Sequence, residues 1–121
     1  MISAKRETYL LEIYANLNEE GFTRVSQLAK SLNVSVPSAS KMAKKLKEDG
    51  LLEFQRYGIL TLTERGNQLA KELALNHEVL SRFFQLIKVE DEEIEKEVKK
   101  IESHISSAVI RKLDAFLTNR I

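Results

Sequence analysis

The sequence predicts a mainly α-helical protein with a small β-hairpin wing, in which a winged helix-turn-helix domain precedes a helical dimerisation domain. Three features of the 121 residues predict it. Two short segments of helical period lie between Val25 and Leu46, broken only at Asn33, Val34 and Ser35. Two strand-like runs follow between Leu51 and Leu62, and helical periodicity then continues from Thr63 towards the C-terminus.

Each element has its own signal. Leu10, Ile13, Tyr14 and Leu17 form one apolar stripe of a first helix, which Asn18 to Gly21 closes. Val25, Leu28, Ala29 and Leu32 repeat at i, i+3, i+4 and i+7, and Ala39, Met42, Ala43 and Leu46 do the same, so each segment buries one stripe. The second segment opens on Ser35 as N-cap with Pro37 in the first turn, where a missing amide hydrogen costs little. Gly50 ends it. Leu51 to Phe54 and Ile59 to Leu62 read as strands joined by a turn at Gln55 to Gly58. From Thr63, a good N-cap, the pattern runs through Leu69, Leu73, Leu80, Phe84 and Ile87. That is a helix of about 24 residues and roughly 36 Å, long enough to link two domains. Ile94, Val98, Ile101 and Ile105, then Val109, Ile110, Leu113, Phe116 and Leu117, mark two shorter amphipathic helices. The expected domains are 1–72 and 73–121.

Composition narrows the functional classes. The chain has no cysteine, which removes disulfides, thiolate ligands and a thiol nucleophile, and fits a reducing, cytoplasmic setting. No apolar run reaches the roughly 18 residues of a membrane span, so no membrane partner is expected. There is no Gly-rich phosphate loop and no histidine-rich ligand set, so no enzymatic activity is expected. Net charge is only +1, but it is unevenly placed. Arg24, Lys30, Lys41, Lys44, Lys45, Lys47 and Arg56 outnumber Glu48, Asp49 and Glu53, whereas acids dominate from Glu90 to Glu102. The basic half is therefore the one suited to a polyanion.

The outward face of the second hairpin helix reads Ser38, Ser40, Lys41, Lys44, Lys45, Lys47, the form of a helix that reads the major groove. Ser38, Ser40 and Lys41 are assigned to base edges or near-base phosphates, and Lys44, Lys45, Arg56 and Tyr57 to the backbone, with Ser35 and Pro37 included in the expected DNA-binding set. A lysine-rich face is also an ordinary solvated surface, and the alternative is a winged helix that binds a protein partner. Steep salt dependence separates the two. The apolar stripes after Thr63 exceed what two short helices and one long one can cover, which predicts a homodimer on a palindromic double-stranded operator.

The residues resemble a known family. Tyr9 and Ile13-Tyr14, Gly21 with Arg24-Val25-Ser26, Leu32 with Val34, Pro37-Ser38, Lys41-Met42 with Leu46, Tyr57, Leu62-Thr63, His77-Glu78 and Ile101-Glu102 are similar to the diphtheria-toxin-repressor family of metal-dependent bacterial transcription regulators. The similarity is greatest to its manganese transport regulator branch and spans about Ser3 to Leu113. It implies a DNA-binding repressor with manganese or iron(II) as cofactor. The ligand positions that the resemblance implies read Thr8, Leu11, His77, Lys99, Glu102 and Ser103, so only His77 and Glu102 keep family donors. A hard ion wanting oxygen and imidazole ligands is not held by leucine and lysine, so no metal is expected. Lys99, at i, i+3 from Glu102, is expected to supply the missing positive charge. The alternative is a rebuilt metal site drawing on Glu12, Glu95 or His104.

Overall fold

The computed structural model describes residues 2–119; Met1, Arg120 and Ile121, at the ends of the expected domains, lie outside the described residues. The chain divides into two compact units, 1–71 and 72–121. One helix, α4, contributes its first turns to the former and the remainder to the latter.

In the first unit, α1 (Ala4–Asn16) is capped by Ser3, whose hydroxyl accepts from the Arg6 amide. Asn18 then folds the chain back, its side-chain oxygen accepting from the amides of Glu20 and Phe22. A short strand follows, β1 (Phe22–Arg24), and leads directly into α2 (Val25–Leu32). Asn33 closes α2 in the left-handed conformation at φ 55°, and the Val34 amide reaches back to the Ala29 carbonyl in a Schellman-type closure. Helix α3 (Val36–Glu48) begins on Ser35 with proline in its first turn, as its sequence dictates. It ends in a second closure of this kind, in which Gly50 takes φ 79° and the Leu51 amide bonds the Leu46 carbonyl.

The expected hairpin is present as β2 (Leu52–Phe54) and β3 (Ile59–Leu62). The sheet nevertheless has a third strand, because β1 pairs antiparallel with β3 through Phe22↔Thr61, Thr23↔Leu60 and Arg24↔Ile59. The order is β1-β3-β2. A three-residue segment with one aromatic is too short to show period-two patterning, so a hairpin alone was the sequence expectation; the free edge of β3 is what recruits β1. Helices α1, α2 and α3 pack on one another, with α3 also against β2. Leu10, Ile13, Leu28, Ala43 and Leu46 are fully buried there. Burying a side chain such as Leu46 contributes about 2 kcal/mol.

Helix α4 (Glu64–Leu86) starts on Thr63, whose hydroxyl accepts from the Gly66 amide and donates to the Gly50 carbonyl. In the second unit, α5 (Asp91–Ile101) and α6 (Ser107–Thr118) pack with α4 around Val79, Leu80, Ile94, Val98, Ile110 and Leu117. The buried Asn76 is satisfied by Ser107, which accepts its amide at 3.0 Å. Ile105 falls in the α5–α6 turn rather than on the helix the periodicity suggested. Ile87, Val109 and Phe116 were expected in apolar stripes, yet each is more than half exposed, as is Leu86. Among the described residues no helix is long and apolar enough to cross a membrane.

Candidate nucleic-acid interface and the His77 cluster

Helix α3 turns Ala39, Met42, Ala43 and Leu46 inward, and this choice of face decides where every cation points. Pro37, Ser38, Lys41, Lys44 and Lys47 are exposed. Ser40 and Lys45 are half-buried at the edges of the stripe, so they are less available than the sequence face implied. Ser35 is engaged locally: its Oγ accepts from the Ser38 amide and donates to the Ser38 hydroxyl at 2.9 Å. The exposed face thus consists of two hydroxyls beside a ladder of ammonium groups at i, i+3 spacing, on a helix rigidly backed by its partner.

The turn between β2 and β3 carries Arg56 and Tyr57, both exposed, with the Tyr57 ring 85% accessible. Tyr57 holds the left-handed conformation at φ 63°, ψ 25°, uncommon for an aromatic residue. Arg24 donates to its carbonyl at 3.2 Å. By sequence Arg24 reads only as one of the cations; its bond to the wing turn depends on β1, a strand that local patterning does not show.

The second site lies in the other unit, where α4 and α5 bring His77 between two carboxylates. Nδ1 lies 2.6 Å from Glu102 Oε2 and Nε2 lies 2.9 Å from Glu95 Oε2. Both ring nitrogens thus face carboxylate oxygens, an arrangement that favours the protonated ring. The Glu102 hydrogen bond, joined by the negative charges of Glu102 and Glu95, holds the imidazole pKa above its ordinary value of 6.5, against burial, which lowers it. The expected pairing of Lys99 with Glu102 does not occur. Lys99 lies 3.9 Å from Glu95 on the exposed face of α5, while Glu102 turns inward to His77. The group facing Glu102 is therefore the His77 imidazole.

The fit to a metal ion can be judged from these donors. Both nitrogens of His77 are engaged within its own unit, by Glu102 and Glu95. Among the described residues no three His, Cys, Asp or Glu side chains form a group that could hold one. Thr8 gives its hydroxyl to the Ala4 carbonyl, Leu11 has no donor atom, and His104 lies exposed beyond α5. These residues do not fit a hard octahedral cation.

The His77 arrangement has a pH signature. Because its folded pKa is raised above the unfolded value, the stabilisation is complete below about pH 6.5 and is lost as pH rises through the folded pKa. Urea unfolding followed from pH 6 to 9 is expected to show stability falling with pH across that window, and His77→Gln to remove this component. An identical pH profile for the two proteins would show that the imidazolium does not form.

A helix-turn-helix with a wing, its second helix basic and exposed, defines a DNA-binding protein of the transcriptional-regulator class. The chain matches "Iron dependent repressor, N-terminal DNA binding domain" over residues 1–60 and "Iron dependent repressor, metal binding and dimerisation domain" over residues 63–120. It is 42% identical over 106 residues to the HTH-type transcriptional regulator MntR of Shouchella clausii, covering 88% of this chain and 74% of that one. Identity is 39% to the MntR of Lysinibacillus sphaericus, with 88% and 76% covered. The solved structure of the manganese regulator SloR superposes with a TM-score of 0.80 at 29% identity, covering 93% of this chain and 53% of that one. This chain therefore spans about half the length of SloR. The chain belongs to the iron-dependent repressor family.

Proposed function

We propose that this protein is a sequence-specific, double-stranded-DNA-binding transcriptional regulator that acts in the cytoplasm as a homodimer and does so without a bound metal ion. The observation that carries the DNA reading is α3: one face buried, the other exposing Ser38, Lys41 and Lys44 beside an exposed wing tip. Ser35, Pro37, Ser40 and Lys45 flank that face, and Arg56 and Tyr57 contact the sugar-phosphate backbone. Family membership supports the same class.

Leu86, Ile87, Val109 and Phe116, large apolar side chains more than half exposed in the second unit, support self-association, as does the match to a dimerisation domain. A two-fold dimer presents two reading helices and favours an inverted-repeat operator. Metal independence is supported by the donor set: the relatives include manganese regulators, whereas here an imidazole and a lysine stand among the carboxylates.

Selection of bound duplexes from a random pool, run in parallel with manganese and with a chelator, tests these points together. The expected result is recovery of the same inverted repeat in both arms, with no stoichiometric manganese uptake at micromolar concentration by calorimetry. Enrichment only with manganese would overturn the metal-free reading, and no enrichment in either arm would overturn the DNA reading.

A further inference from the structure

We propose that Arg6 is a positioning residue for the DNA-reading helix, fixing the tilt of α3 through an ion pair with its C-cap, Asp49; the inference rests on the DNA reading above. Nη1 of Arg6 lies 2.9 and 2.8 Å from Asp49 Oδ1 and Oδ2. The two residues are 43 positions apart in the chain, and their side chains are only 31% and 23% exposed. The pair therefore joins α1 to the end of α3 in a partly desolvated setting, where charge-assisted bonds are strong.

Asp49 is unexpected where it stands. A carboxylate at a helix C-terminus faces the negative end of the macrodipole and is unfavourable unless a cation compensates it. Arg6 is that cation, and its own backbone is held, because its amide donates to the N-cap hydroxyl of Ser3. The same end of α3 is gripped from the start of α4, where Thr63 donates to the Gly50 carbonyl at 2.7 Å and Arg65 to the Asp49 carbonyl at 3.4 Å. The last turn of α3 is thus clamped from two sides, while its exposed N-terminal half is left to meet the ligand.

Geometry makes this clamp matter for recognition. Helix α3 has 13 residues. At about 1.5 Å per residue, a tilt of about 5° at its end shifts the far end by about 1.7 Å. Hydrogen bonds to base edges do not survive displacements of that size, whereas contacts of flexible lysines with phosphates do. Loss of the clamp should therefore weaken specific binding and spare non-specific binding.

The test compares the whole protein with Arg6→Ala, Arg6→Lys, Asp49→Ala and the Arg6→Ala/Asp49→Ala double variant on the selected duplex and on a scrambled one, below the melting range of every variant. Affinity of Arg6→Ala for the selected duplex should fall about tenfold, that for the scrambled duplex should change less than about threefold, and the salt slope should stay the same. Arg6→Lys should recover most of the loss, and Asp49→Ala should add nothing in the Arg6→Ala background. A purely structural pair would lower the melting temperature and leave the ratio of the two affinities unchanged, and that result overturns the proposal. If Arg6→Ala does not fold, the same ratio measured on Arg6→Gln decides. Failure of the parent protein to prefer any duplex would instead defeat the DNA reading itself.

Discussion

Replacing Lys41 and Lys44 together by alanine is expected to lower DNA affinity about a hundredfold at about 0.1 M salt and to reduce the slope of log K against log salt by about two. Both side chains are exposed on the stripe of α3 opposite Ala39, Met42 and Ala43, so removing them does not disturb the core. Each ammonium that neutralises a phosphate releases about one counterion, and the slope counts those releases directly. Lys45→Ala serves as an internal control. Lys45 is half-buried at the edge of the stripe, so its slope change should be smaller than that of Lys41→Ala or Lys44→Ala. Fluorescence anisotropy titrations from 50 to 300 mM salt measure the affinities and the slopes alike. An unchanged slope in the double variant would remove α3 from the DNA contact and leave the protein-partner reading of the winged helix in its place.

Gly66→Ala should be among the most destabilising single changes in the chain. Gly66 is buried in the first turn of α4, and a Cβ there would lie 1.9 Å from the backbone carbonyl oxygen of Leu51. No side-chain rotation relieves such a clash, because the obstructing atom is backbone at the start of the strand-bearing segment. The helix must move away. In moving, it breaks the Thr63 cap and the Thr63–Gly50 bond that hold the end of α3. A loss of about 3 kcal/mol or more is expected, large against the usual effect of a surface substitution. Urea denaturation of Gly66→Ala against the parent checks it, with Asn67→Ala as a neighbouring substitution that keeps the close approach. A loss below about 1 kcal/mol would mean that α4 does not pack on Leu51 as described.

Much of this was legible from local chemistry. Ser35 and Pro37 announce the start of α3 because an N-cap hydroxyl and a missing amide hydrogen suit only a first turn. Thr63 announces α4 for the same reason, and Gly50 marks the end of α3 because it adopts φ 79°. Apolar spacing alone assigned the inward face of α3, and with it the outward direction of Lys41 and Lys44. Strand β1 was not legible, since a strand of Phe22, Thr23 and Arg24 has no periodicity of its own and exists because β3 offers it a partner. The burial of Lys45 and Ser40 was equally hidden, because positions at the border of a stripe depend on what stands beside the helix rather than on spacing. The expected pairing of Lys99 with Glu102 used separation along one helix. Lys99 meets Glu95, and Glu102 belongs to His77 of a different helix.

The amino-acid order by itself determined which segments are helical, which faces they bury, and that positive charge gathers on one helix. These follow from interactions within a few residues, whose geometry the period of the backbone already specifies. Only the folded chain decided which distant groups share a charge. Arg6 finds Asp49 and His77 finds Glu102 because packing, acting over the whole of each unit, brings remote turns to hydrogen-bonding distance.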